Sequence, residues 1–163
     1  MMKKNPLRKF VDSIAGHPDW LRRMYLTRMF RMKVKFAGTA GLDILDTDGQ
    51  SVTFAITNRR KVQNHIGGVH AAAMSLLAES ATGFIVGINL PGDKLPLMKR
   101  MNINYVKRAE GDLTAKAWLT DEQVQQMENQ DKGEITVAVT VTDEAGNQPV
   151  ECEMLWAWIP KKK

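Results

Sequence analysis

Apolar residues recur along this chain with two periods, and the expected structure changes where the period does. Residues 6–14 carry a short helical pattern, and after His17-Pro18 the side chain of Asp19 is placed to cap a second helix running to about Lys33. In that helix Leu21, Met24, Tyr25, Met29 and Met32 form an apolar stripe expected to pack on the body of the chain. Arg22, Arg23 and Lys33 lie outside the stripe and Arg28 interrupts it. From Lys35 the period becomes two. Leu42 and Ile44 alternate with polar neighbours, Asp46-Thr47-Asp48-Gly49 reads as a turn, and Val52, Phe54 and Ile56 complete a hairpin.

The same alternation returns four times further on: through Met101, Ile103 and Tyr105, through Leu113, Ala115, Ala117 and Leu119, through Ile135 to Val141, and through Cys152, Met154, Trp156 and Trp158. Short turns containing Gly, Asp or Asn, at residues 109–112 and 144–147, join these segments and imply antiparallel pairing. Between the second and third strands lies one long helical pattern, from Gly67 to about Ile88. Its apolar positions are Val69, Ala73, Leu76, Leu77, Ala81 and Phe84, and Pro91-Gly92 follows its end. The prediction is an α+β layer architecture in which a curved antiparallel sheet wraps around one long central helix. No repeat, low-complexity tract or linker interrupts it, so residues 1–34 read as an N-terminal helical extension and residues 35–163 as one domain.

Composition narrows the chemistry. The 163 residues are about one domain's worth of chain. A single Cys excludes an intramolecular disulfide, and three His leave too few soft ligands for a structural zinc site. His65 and His70 are five residues apart, poor spacing for one helical face, so no metal is expected. The basic N-terminus is followed by no apolar signal segment, and nowhere do about 18 apolar residues run together, so a cytoplasmic location is expected. The net charge of +5 is unevenly spread: residues 1–35 carry ten Lys/Arg against two Asp, and Lys161, Lys162 and Lys163 add three more positive charges. The remaining body is acidic on balance, which does not indicate a nucleic-acid partner.

The segment Asn64-His65-Ile66-Gly67-Gly68-Val69-His70, running on to Glu79, carries a recognisable spacing. Asn64, Gly67, His70 and Glu79 resemble the signature of hotdog-fold thioesterases of the PaaI-like, phenylacetate-pathway type. The run Asn102 to Leu113, through Tyr105-Val106-Lys107-Arg108-Ala109, is similar to that family's third strand and following turn. The resemblance covers about residues 36–159 and implies a hotdog fold, a homodimer with pairing into a tetramer as a further option, and hydrolysis of an acyl-CoA or acyl carrier protein thioester. Coenzyme A then enters as part of the substrate, and no cofactor is implied. The family's His-Gly-Gly reads His70-Ala71-Ala72 here, and its frequent Asp reads Glu79.

Carried over residue by residue, the resemblance gives the Ala71 N–H the role of oxyanion donor at a helix N-terminus, where N–H groups are unpaired and carry partial positive charge. Gly67 and Gly68 shape the approach of substrate, and Asn64 orients water or the thioester oxygen. Glu79 is the general base or nucleophile. His70 either contributes its imidazole or merely caps the helix, and Asn64 either takes this role or is an ordinary turn residue. Lys99, Arg100, Lys107 and Arg108 flank the third strand, either as ligands for coenzyme A phosphates or as solvated ends of a hairpin. Nine residues separate His70 from Glu79, about 180° around a helix and roughly 13 Å along it, so both cannot serve one site within one subunit. In the resembled family the acid comes from the partner subunit, which agrees with this arithmetic. Two alternatives stand beside the enzyme: a non-catalytic acyl-thioester binder, suggested by Ala71 and Ala72, and an adaptor whose basic N-terminal helix meets nucleic acid or anionic lipid.

Overall fold

A computed structural model describes residues 4–162. Three helices open the chain: α1 (Pro6–Ser13), α2 (Asp19–Lys33) and α3 (Lys35–Ala40). The hairpin of β1 (Asp43–Thr47) and β2 (Ser51–Ile56) follows, then the long helix α4 (Ala71–Asn89). The chain continues through β3 (Lys94–Tyr105), β4 (Leu113–Trp118), α5 (Asp121–Asn129), β5 (Gly133–Asp143) and β6 (Val150–Pro160). Every strand pairing is antiparallel, and the six strands form one sheet in the order β1-β2-β4-β5-β6-β3.

The core lies between this sheet and α4. Val52, Phe54, Ala115, Val137, Val141 and Met154 send alternate side chains inward, as the period of two requires, onto Leu77, Ala81, Phe84 and Ile88 of the helix. Phe30, Phe54 and Phe84 meet edge to face, with ring centroids 5.0–5.9 Å apart, and join α2 to the same core. Close approach of sheet to helix is visible at Gly83, where an added β-carbon would lie 2.7 Å from the Trp156 ring. Trp156 in turn donates its indole N–H to Thr82 Oγ1 at 2.9 Å.

Four details differ from the sequence reading. Residues 35–40 are helical, not extended; α3 stops at Gly41, which takes the left-handed conformation (φ 76°) that a helix C-terminus favours in Gly. Asp19 is the first residue of α2 and its carboxylate reaches Arg22, so no side chain caps that helix. The buried face of α2 is Leu26 and Phe30, while Met24 (47% exposed) and Met32 (70%) point outward. The expected stripe was therefore out of phase: counting five apolar residues at helical spacing overlooked that Leu26 and Phe30 define an equally good face. Lastly, α4 begins at Ala71, four residues later than the apolar pattern suggested, because residues 64–70 close a separate turn.

The outward helices have structural tasks. From α2, Arg22 donates to the Thr47 carbonyl and Arg31 to the Leu42 and Gly41 carbonyls, while Thr27 Oγ1 accepts the Ile44 N–H at 2.9 Å. The bonds to Thr47 and Ile44 occupy backbone groups of β1 that would otherwise form an open sheet edge, and those to Gly41 and Leu42 hold the residues leading into it. The opposite edge, β3, has no such cover among the described residues.

Candidate active site

The turn before α4 is built by Asn64. Its Oδ1 accepts the N–H groups of Ile66 (3.0 Å) and Gly68 (3.1 Å), and its own N–H donates to the Gly68 carbonyl at 2.8 Å. Gly67 sits at φ 79°, a conformation open to Gly and costly for side chains with a β-carbon. Asn64 therefore fixes the loop through its oxygen and leaves only its NH₂ group for other work. His70 is extended (φ −63°, ψ 144°) and is the N-cap of α4: its Nδ1 accepts the Ala72 N–H at 3.0 Å. That bond puts the ring's proton on Nε2 when the imidazole is neutral.

With Ala72 capped and Ala73 and Met74 bonded to the His70 carbonyl, the Ala71 N–H has no partner among the described residues. It is a free donor at the positive end of a helix 19 residues long. Beside it, Tyr105 of β3 donates to the Ala71 carbonyl at 2.9 Å and shares a hydrogen bond with Ser75 Oγ at 2.8 Å. Tyr105 and Ser75 were not among the expected site residues. The back-bond from Ser75 to a carbonyl four residues earlier is a local pattern that could have marked one of them, but only the fold brings Tyr105 there.

The sheet leaves the N-terminal part of one stripe of α4 uncovered, while Trp156 of β6 packs on that stripe at Gly83 and Leu7 of α1 packs on it at Gly87. His70, Ala71 and Ala72 are exposed, and Ser75, Glu79, Gly83 and Gly87 are half-buried along the same side. Glu79 and the helix N-terminus thus share an open face. The wheel angle computed from His70 does not describe this, because His70 is a cap outside the helix and not one of its turns. The axial separation stands, at about 12 Å from Ala71 to Glu79. Burial pushes the Glu79 carboxyl above its ordinary 4.5, with no hydrogen-bonding or charged neighbour acting on it. It lines a cavity of about 600 Å³ whose walls are mainly apolar side chains from α1, α2 and α4, with Trp156.

The four cations divide into two pairs. Lys99 pairs with Glu134, and Arg100 with Glu153 at 2.9 Å, both on the outer surface of the sheet. Lys107 reaches Asn147 Oδ1 at 2.7 Å, whereas the Arg108 guanidinium lies 3.5 Å from the Ile66 carbonyl, beside the turn that precedes α4. Arg108 is thus the cation that the fold brings to the helix N-terminus. Cys152, half-buried on β6, has its thiol pushed up to about 11 by burial, which suppresses the thiolate at neutral pH.

Solved structures share this architecture. PA5026 of Pseudomonas aeruginosa, described as a protein of unknown function and probable thioesterase, superposes with a TM-score of 0.76 at 24% identity, covering 83% of this chain and 93% of that one. The thioesterase HI1161 of Haemophilus influenzae gives a TM-score of 0.66 at 14% identity over 83% and 88%. A thioesterase family protein of Silicibacter pomeroyi gives 0.64 at 14% identity over 83% and 96%. The chain has the hotdog fold that the strand order and central helix implied. No curated protein matches its sequence. Residues 22–159 match the family described as a domain of unknown function, DUF4442, and the chain belongs to that family.

Proposed function

We propose that this protein is an acyl-CoA thioesterase whose site is completed by a second copy of the chain. The observation that carries the reading is the pairing, on one uncovered face of α4, of a free Ala71 N–H at the helix N-terminus with a half-buried Glu79 whose proton is held above the usual carboxylate range. A thioester hydrolase needs both a donor aimed at a developing oxyanion and a carboxylate that activates water. Their separation of about 12 Å along one helix is too long for one reacting centre, so the donor of one subunit works with the acid of its partner. The solved structures of this fold described as thioesterases, and the PaaI-like spacing of Asn64, Gly67, His70 and Glu79, support the same chemistry.

In this reading the thioester oxygen lies against the Ala71 N–H, over the surface that Gly67 and Gly68 leave open. Glu79 takes a proton from water as the water oxygen bonds to the acyl carbon; the carbon–sulfur bond then breaks and the thiolate leaves, taking up a proton. The NH₂ group of Asn64 orients the water, and His70 acts through its cap on Ala72, which sets the direction of the helix's first N–H groups. Arg108, with Lys107 beside it, meets the phosphates of coenzyme A or the acidic surface of an acyl carrier protein.

The test is free-thiol release from short, medium, long and aromatic acyl-CoAs. Glu79→Gln should lower kcat/KM by about 10²–10⁴-fold with no loss of folding. Ala71→Pro deletes the N–H at a helix position where proline is well tolerated, after a residue already in the extended conformation proline prefers there, and should cost about 10²–10³-fold. Saturable acyl-CoA binding without thiol release by the wild type would sink the enzyme and leave the non-catalytic binder.

A further inference from the structure

The cavity beside Glu79 is larger than a water-activating centre requires, and part of its wall comes from a segment that precedes the family match. Residues 22–159 carry that match, whereas α1 spans Pro6–Ser13. Leu7 and Phe10 of α1 nevertheless line the cavity with Met29 of α2 and with Gly83 and Gly87 of α4. A β-carbon at Gly87 would come 3.4 Å from Leu7 Cδ2, so α1 packs on α4 there, whereas the space beside Gly83 is taken by the Trp156 ring.

The placement of α1 is fixed by polar bonds. Asn5, buried, caps α1 by accepting the Arg8 N–H at 2.8 Å and donates through Nδ2 to the carbonyls of Gly87 (2.7 Å) and Leu90 (2.5 Å) at the end of α4. Arg8 Nε donates to Asp12 at 3.0 Å and stiffens the same helix.

The dimensions identify what fits. Along α4 the lining runs from Glu79 to Leu90, eleven residues on, or about 16 Å. A fully extended chain advances roughly 1.2 Å per bond, a third of the span of one extended residue, so this length matches about thirteen bonds. The volume of about 600 Å³ is that of a small-molecule site, within the usual range of roughly 300–1,000 Å³. Of the three lysines among the lining residues, Lys94 and Lys161 turn their ammonium groups away from it. Lys94 Nζ donates to the carbonyls of Met127, Glu128 and Gln130, and Lys161 Nζ to that of Gly92, so their stems add apolar surface.

We propose that this cavity is an acyl-chain channel for one unbranched aliphatic chain of about twelve to fourteen carbons, with α1 as the wall that limits its length. The identity of the head group rests on the thioesterase reading above; the channel itself does not. Glu79 is the α4 lining residue nearest the helix N-terminus, so the chain runs from the reacting carbon past the Trp156 ring and Leu7 towards Leu90.

The experiment titrates the full-length protein calorimetrically with non-hydrolysable S-alkyl coenzyme A thioethers: butyl, octyl, dodecyl and hexadecyl. Affinity should rise steeply from butyl to dodecyl, by up to about fourfold per methylene, and gain nothing further at hexadecyl. Leu7→Trp should weaken dodecyl binding at least about tenfold and leave butyl unchanged, while Phe10→Ala should extend the rise to hexadecyl. Affinity independent of chain length in the wild type would overturn the channel, as it would if a second copy's side chains filled the cavity. So would an unmoved series in either variant with an unchanged melting temperature; if Leu7→Trp does not fold, Phe10→Ala decides. Chain-graded binding without thiol release sinks the hydrolase and keeps the channel, whereas turnover with a flat series does the reverse.

Discussion

At the scale of single residues, Glu79 is the side chain whose environment most needs a purpose. A carboxylate half-buried beside an apolar cavity, with only desolvation acting on it, is a cost to the fold whenever it is ionised. The sign of its linkage to stability follows. Its folded pKa lies above the ordinary value of 4.5, so the native state holds the proton more tightly than the unfolded chain. Stability is fully retained below that ordinary value and declines as pH rises through the raised folded pKa. Glu79→Gln keeps the shape and removes the titration. The melting temperature of the variant should therefore gain on the wild type as pH is raised from 4 towards 8. Scanning calorimetry of both proteins across that range checks it; a difference that stays constant would mean that Glu79 is solvated in the native protein, and a wild type that gains would mean that its carboxylate is stabilised there. A stabilising Glu79→Gln that also abolishes turnover is the pattern of a residue kept for chemistry.

At the scale of elements, what could be read from the chain depended on whether its signal was local. All six strands and α4 were legible, because alternation and helical spacing are properties of short windows: Val52, Phe54 and Ile56 on β2 and Val69, Ala73, Leu77 and Phe84 around α4 are buried as their period requires. Asn64, His70 and Ala71 were legible as a constellation through their spacing. Which atoms of Asn64 and His70 remain free was not, since that depends on the turn they close. The phase of α2 was lost because two apolar faces compete and only contact with Phe54 and Phe84 selects Phe30. Helix α5 was missed although its start is written in the chain. Thr120 and Gln123 form a reciprocal capping box, with the Thr120 hydroxyl accepting the Gln123 N–H at 3.2 Å and Gln123 Oε1 accepting the Thr120 N–H at 3.0 Å. Thr120→Ala should cost about 1 kcal/mol, or roughly 2–4 °C in melting temperature, with thiol release unchanged because α5 contributes no residue to the cavity. A loss of turnover in the folded variant would show that α5 reaches the site.

At the scale of the whole molecule, the two edges of the sheet are treated differently. Side chains of α2 bond to the backbone of β1 and close that edge, whereas β3, twelve residues long, keeps one flank unpaired and exposes Leu95, Leu97, Met101 and Tyr105. A long, apolar, open edge is an invitation to pair with another strand, and in the dimer proposed above a second copy of β3 would satisfy it by two-fold symmetry. Tyr105 stands at the end of β3 and also bonds the first turn of α4, so pairing along this edge brings each subunit's partner to the helix N-terminus where Ala71 waits. The arrangement makes a distinct kinetic prediction. Ala71→Pro and Glu79→Gln should each be nearly inactive alone, because every site in either homodimer lacks one component. When the two are mixed and allowed to exchange subunits, half of the dimers should be mixed. In each of these one site carries both lesions and the other carries neither, so about one quarter of wild-type activity should return. Activity that stays at the level of the separate variants after exchange, with mixed dimers demonstrated by native mass spectrometry, would place the donor and the acid in the same subunit's site. Recovery that grows with the extent of subunit exchange would instead locate catalysis across a subunit interface.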